Sequence, residues 1–172
     1  MALQEATKTF MRYLHDNPAI RARIRAHPDK TLLYAGSFFM PIWKEIALAK
    51  LSQPQLADKQ TLPDILMTVS TPGTGYANLL ARVQDLERQV PWQSDGFIAW
   101  RALSGIFAAN AIGRVSFQIG SGINRDKVFA ATELAVLMRN PKVDALTKDV
   151  LAYYQRCIQG KNAALNFGHI AG

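Results

Sequence analysis

The sequence predicts an all-α fold: a single-domain bundle of six or seven helices around a central helix rich in small residues, at about 94–113. Three observations predict it. Apolar residues recur at steps of three and four along several stretches, the spacing of one helical face. Prolines and polar capping residues cut those stretches at helical lengths. Only two short runs, "ILMTVS" and "RVSFQIG", read as strands, too few for a doubly wound sheet. At 172 residues the chain suits one domain with its own core.

In the first third, Pro18, Pro28 and Pro41 each remove a backbone donor, and the first two suit first-turn helix positions. Residues 3–15 are predicted to form a first helix, Asn17 to cap a short second one, and Asp29 to open a third that runs to about Leu51 with a kink near Pro41. A polar loop at about 52–64, holding Pro54 and Pro63, is expected to be exposed.

From there Tyr76, Leu79, Val83, Leu86 and Val90 fall on one stripe of an amphipathic helix, a packing seam for the core or for a helical partner. The stretch "FIAWRALSGIFAANAIG" is apolar all round, so it belongs at the centre of a bundle or at an interface. Gly105, Ala109 and Gly113 line one side of it, where a neighbouring backbone would approach closely. Arg101 interrupts it and needs a partner if buried, and Glu133, on the equally apolar "VFAATELAVLM", is the candidate for a buried ion pair. A last helix at about 143–159 turns Val143, Leu146, Val150, Tyr153, Tyr154, Cys157 and Ile158 to one side, and the tail 160–172 begins with the helix-stopping Gly160.

Composition narrows the function classes. Apolar residues make up 49% and charged residues 19%, which fits a folded protein and excludes a disordered or collagenous one. Cys157 is alone, so no internal disulfide or zinc cluster is expected, and a cytoplasmic location is the default. The N-terminal residues carry Glu5 and Asp16 and show no signal-peptide core. No membrane span is expected, since "TLLYAGSFFMPIW" is short and Arg101 breaks the other apolar stretch.

The net charge of +7 sits at both ends: residues 1–30 hold six basic and three acidic groups, 31–96 five and six, and 97–172 nine and four. That balance favours an acidic partner, with Arg21, Arg23, Arg25, Arg125 and Lys127 as candidates for anion binding. Two glycine turns, "TPGTGYANLL" and "IGSGINRDKVF", lead into helices but complete neither a Walker loop nor a dinucleotide fingerprint. His15, His27 and His169 make no helical metal pair, so no metal or other cofactor is expected. No serine sits in a nucleophile elbow, and no carboxylate pair has the spacing of an acid–base site.

His27-Pro28-Asp29, preceded by Arg21, Arg23 and Arg25, resembles the signature tripeptide of J-domains, which would imply a co-chaperone acting on an Hsp70. The sequence departs from that family where "TLLYAGSFFMP" replaces a polar loop and Ala26 the usual aromatic residue. The tripeptide is therefore read as a break between two elements. The expected function is a non-enzymatic helical protein-binding module: an adaptor, scaffold or subunit that contacts another protein or itself. A basic nucleic-acid-binding module is the alternative, and an enzyme with a site assembled between helices the third reading.

Overall fold

The computed structural model describes residues 4–35, 41–90, 97–120 and 129–159, together with the backbone alone at Phe97, Ala130 and Ala131. Among them the chain forms eight helices: α1 (Glu5–Asp16), α2 (Pro18–Arg23), α3 (Ile42–Ser52), α4 (Leu62–Leu66), α5 (Leu79–Gln89), α6 (Phe97–Ala109), α7 (Leu134–Arg139) and α8 (Ala145–Gln159). A π-helical turn, Phe129–Glu133, leads into α7, and a 3-10 turn, Pro54–Leu56, follows α3. Two strands, β1 (Thr31–Ala35) and β2 (Val115–Ile119), pair in parallel, with Thr31 opposite Val115 and Ala35 opposite Ile119.

The strands correct the all-α expectation, and eight helices correct the count of six or seven. The physical reason lies in burial. Leu33, Ala35, Val115, Phe117 and Ile119 face the main core, while Leu32 packs with Ile46 and Ala49 of α3 and with Leu56. A strand covered on both faces shows a continuous apolar run instead of alternation, and periodicity alone cannot tell it from a buried helix. Thus "TLLYA" is a strand in place of the first part of the helix expected from Asp29 to about Leu51, whose last part is α3, and "RVSFQIG" holds β2. The other candidate strand, "ILMTVS", lies over the end of α4 and the turn after it.

Asp29 also departs from its expected place at a helix start. Its φ of +65° is left-handed, and the chain passes directly into β1. Asp29 Oδ1 accepts from the backbone N–H of Arg114 at 2.7 Å, and its own N–H donates to the Ile112 carbonyl at 2.9 Å. These bonds set the entry to β1 beside the entry to β2, which fixes the parallel register. Gly113 stands at this junction with φ +77°, where a Cβ would overlap Asp29 Oδ1. It lies beyond α6, so the stripe drawn through Gly105, Ala109 and Gly113 on one helix ends at Ala109.

The main core gathers Phe10 and Leu14 of α1, Leu79, Val83 and Leu86 of α5, Leu103 and Phe107 of α6, and Leu151 and Tyr154 of α8. Phe117, Phe129 and Tyr154 meet edge to face with centroids 5.5–6.0 Å apart, the arrangement that aromatic quadrupoles favour. Along α8 the buried line is Thr147, Leu151 and Tyr154, whereas Leu146 and Tyr153 are exposed.

Buried and half-buried amides stitch the helix ends. Asn140 Nδ2 donates to the carbonyls of Ala108, Ala109 and Ala111 at 2.9–3.2 Å, satisfying the end of α6. Asn110 Nδ2 donates to the Arg21 and Ile24 carbonyls at 3.0 and 3.1 Å, which accounts for a polar residue in that apolar stretch. Asn17 closes α1 by donating to the Tyr13 carbonyl at 2.7 Å and makes no side-chain cap on α2.

The stretch 52–64 is anchored more firmly than a polar loop. Leu56 and Leu62 are buried, and Gln60 exchanges backbone bonds with the start of β1, donating to the Lys30 carbonyl at 2.7 Å and accepting from Leu32 at 2.9 Å. Thr61 and Asp64 form a capping box at the start of α4. The tail 160–172 lies outside the described residues.

Candidate functional site

Two places depart from what a folded domain needs for its own stability: the outward half of α3 and the carboxyl of Glu133. Helix α3 buries Ile46 and Ala49 against β1, with Ile42 packed beside them. Its exposed positions are Trp43, Lys44, Ala47, Leu48, Leu51 and Ser52. At 100° per residue these six cover half the helix circumference and carry a single charge, Lys44. Trp43 is 67% exposed, Leu48 49% and Leu51 83%. Solvated helix faces are normally polar, and an exposed apolar face with a tryptophan on it is the signature of a contact surface.

The chemistry of the sequence explains both sides of α3. "IWKEIALAKLS" is apolar at nearly every position, so burying one side against the sheet leaves large apolar residues on the other. Lys50 turns inward instead and pairs with Asp64 of α4 at 2.8 Å. That pairing and the Asp64 hydrogen bonds to Thr61 hold the Asp64 carboxyl below its usual range, even though burial alone raises it. The Lys44 ammonium lies 5.4 Å from the Trp43 ring centre, within cation–π reach.

The second place is the π-helical turn. It packs against α6, α7 and β1, and π turns often mark functional sites. Glu133 is the one buried carboxyl among the described residues, 7% exposed. Burial pushes its pKa up to about 8, against a smaller downward effect from the Ser104 hydrogen bond. Its Oε2 has no hydrogen-bond partner among the described residues. Neighbouring Tyr34 of β1 is pushed far above the usual phenol range, by burial first and then by Glu133, Asp64 and Glu87.

Arg101 is exposed, and its Nε donates to Thr132 Oγ1 at 2.7 Å. The expected buried pair of Arg101 with Glu133 is not among the ion pairs of the described residues; a neutral hydroxyl next to Glu133 takes its place. A Cβ at Gly105 would stand 3.3 Å from the Thr132 methyl of the turn. Ala109 is exposed.

Other sequence-marked residues fall elsewhere. Leu79, Val83, Leu86 and Val90 point into the main core, so the α5 seam is internal. Tyr76 precedes α5, and its hydroxyl donates to Asp85. Arg82, with its guanidinium 4.1 Å from the Tyr13 ring centre and 5.8 Å from that of Tyr76, ties α5 to α1. A cleft of about 170 Å³ beside it is lined by Thr9, Phe10, Tyr76, Arg82, Asp85 and Gln89.

The basic candidates are described only in part. Arg21 donates to the Leu14 and His15 carbonyls at 2.5 and 2.6 Å, capping the end of α1. Arg23 and Arg25 are exposed. Arg125 and Lys127 lie outside the described residues. Of the glycine turns, the first holds Gly73 and Gly75 at positive φ, and Asn78 then caps α5 by accepting from Ala81 N–H at 2.9 Å.

Among the described residues no group of three His, Cys, Asp or Glu side chains is placed to hold a metal ion, and no helix is long and apolar enough to cross a membrane. Sequence reasoning missed the α3 face because it placed those residues at the end of one long helix kinked near Pro41. The signal was present in "WKEIALAKL", whose single outward lysine leaves its solvent side apolar. No protein-family model matches the chain, and neither a curated protein nor a solved structure is significantly similar to it.

Proposed function

We propose that this protein is a protein-binding module whose contact surface is the outward half of α3, and that the surface pairs with α3 of a second copy. The observation that carries the reading is the exposure of Trp43, Leu48 and Leu51 on a helix half with one charge. Trp43, Ala47 and Leu51 follow one another at single-turn spacing. An antiparallel pairing about a two-fold axis at Ala47 sets Trp43 of one copy against Leu51 of the other, with the small alanine letting the helices approach. The near absence of charge on this face means that little repulsion opposes self-pairing locally.

A contact confined to one helix of eleven residues is small. It gives a weak association, with a Kd on the order of micromolar or above. The net charge of +7 opposes association at long range, so salt should strengthen the pairing. Nucleic-acid binding has the reverse dependence.

Fluorine NMR of protein labelled with 5-fluorotryptophan tests the contact. The Trp43 line, assigned through Trp43→Phe, is expected to move and broaden as protein concentration rises, while the Trp100 line stays in place. A Trp43 line that is independent of concentration at low and high salt would refute the reading.

A further inference from the structure

Glu133 presents an unusual combination: a buried carboxyl that Ser104 hydrogen-bonds, with Oε2 left without a partner among the described residues. An ionised carboxylate in such surroundings is strongly disfavoured unless a cation or several donors meet it. Among the described residues, the elements packed against its turn supply few candidates. Helix α6 carries one charged residue, Arg101; β1 carries one titratable residue, Tyr34; and α7 carries Arg139, exposed at its far end. Tyr34 keeps its proton well beyond neutral pH, so it can offer Glu133 a hydrogen bond but no positive charge.

Arg101 can. Ser104, which touches Glu133, lies three residues after Arg101 on α6, so the two share a helix face. The guanidinium already reaches Thr132, the residue next to Glu133. Its anchor there is a neutral hydroxyl, a weaker acceptor for an arginine than a carboxylate.

We propose that Arg101 and Glu133 form a proton-controlled latch between α6 and the π-helical turn. With Glu133 protonated, Arg101 rests on Thr132 at the surface. When Glu133 releases its proton to solvent, the guanidinium swings inward and pairs with the carboxylate, fastening the turn to α6. The proton is the only species lost, and Arg101 stays charged throughout. The Arg101–Thr132 bond is the outward arrangement. This latch is independent of the α3 contact, so either stands if the other fails.

The test is a pH titration followed at both ends of the latch. Carboxyl carbon NMR of Glu133 gives its midpoint, and the Arg101 Nε resonance reports the guanidinium. In the wild type the Arg101 signal is expected to move with the Glu133 midpoint. In Glu133→Gln it should stay flat with pH. In Arg101→Gln the Glu133 midpoint should rise by about 1 pH unit, because the cation that favours the charged form is gone. Arg101 is exposed, so this variant keeps the fold and decides the matter even if Glu133→Gln does not fold. An Arg101 signal that ignores the Glu133 titration, or a Glu133 midpoint unchanged in Arg101→Gln, would overturn the proposal.

Discussion

The Asp29 carboxylate accepts a hydrogen bond from the backbone N–H of Arg114 at 2.7 Å, joining points 85 residues apart in the chain. Around that bond the ends of two loops meet and two parallel strands begin. The His-Pro-Asp tripeptide thus has a structural task in this protein. His27 contributes its backbone N–H to Gln60 Oε1 at 2.8 Å, while its ring is at the surface.

His27→Gln is therefore expected to leave stability unchanged within about 0.5 kcal/mol. Asp29→Ala should cost roughly 1 to 3 kcal/mol by leaving the Arg114 N–H without its acceptor. Urea midpoints for the two variants check this. Equal loss in both would show that the junction does not depend on the aspartate.

Gly113→Ala should be more damaging than an ordinary Gly-to-Ala change. The added Cβ meets Asp29 Oδ1, and φ is +77°. The cost is expected at about 1 kcal/mol or more. Combining it with Asp29→Ala should recover part of that loss, since the clashing atom is then absent, and a double-mutant cycle on urea midpoints reads the coupling.

Gly105→Leu should destabilise by about 1 to 3 kcal/mol, because the side chain must enter the space between α6 and the Thr132 methyl, already 3.3 Å from a Cβ at this position. On an open helix face the same change would stabilise, leucine being the better helix former. The sign of the shift in the urea midpoint separates the two cases.

Burial of Glu133 makes stability depend on pH. Its folded pKa, about 8, lies above the unfolded value of about 4.3. Between these limits the folded state binds more protons than the unfolded one, so stability falls as pH rises from about 4 to 8 and levels off above. Glu133→Gln should flatten this slope and stabilise the protein at pH 9 by roughly 2 kcal/mol or more. Urea unfolding from pH 5 to pH 9 checks the sign, and a wild-type stability rising across that range through this residue would contradict it.

Helices whose apolar residues sit at three- and four-residue steps were legible from sequence. Helix α5, with Leu79, Val83 and Leu86 turned inward, is the clearest, because one solvated face leaves a period to read. The parallel strands were not legible, since burial on both faces erases the alternation that marks β structure. Assigning "TLLYA" to a helix in turn hid α3, because the outward side of that helix cannot be placed until the strand before it is recognised. The Arg101 and Glu133 neighbourhood was legible in part: the two residues were picked out as chemically out of place, but the Thr132 hydroxyl that holds Arg101 has no pattern in sequence. Gly113 was noticed for its smallness, yet its reason is a turn against Asp29 far away in the chain, which only the fold reveals.

The central claim is that the exposed half of α3 is a contact surface for a second copy. Sedimentation velocity over a wide range of protein concentrations, at low and high salt, tests it most directly when wild type is run beside Leu51→Lys. Leu51 is 83% exposed, so the substitution should leave the urea midpoint within about 0.5 kcal/mol of wild type. The wild-type average mass should rise towards that of a dimer with concentration, more strongly at high salt, while Leu51→Lys stays monomeric throughout. A wild type that remains monomeric under every condition, or a Leu51→Lys variant that associates as readily as the wild type, would contradict it.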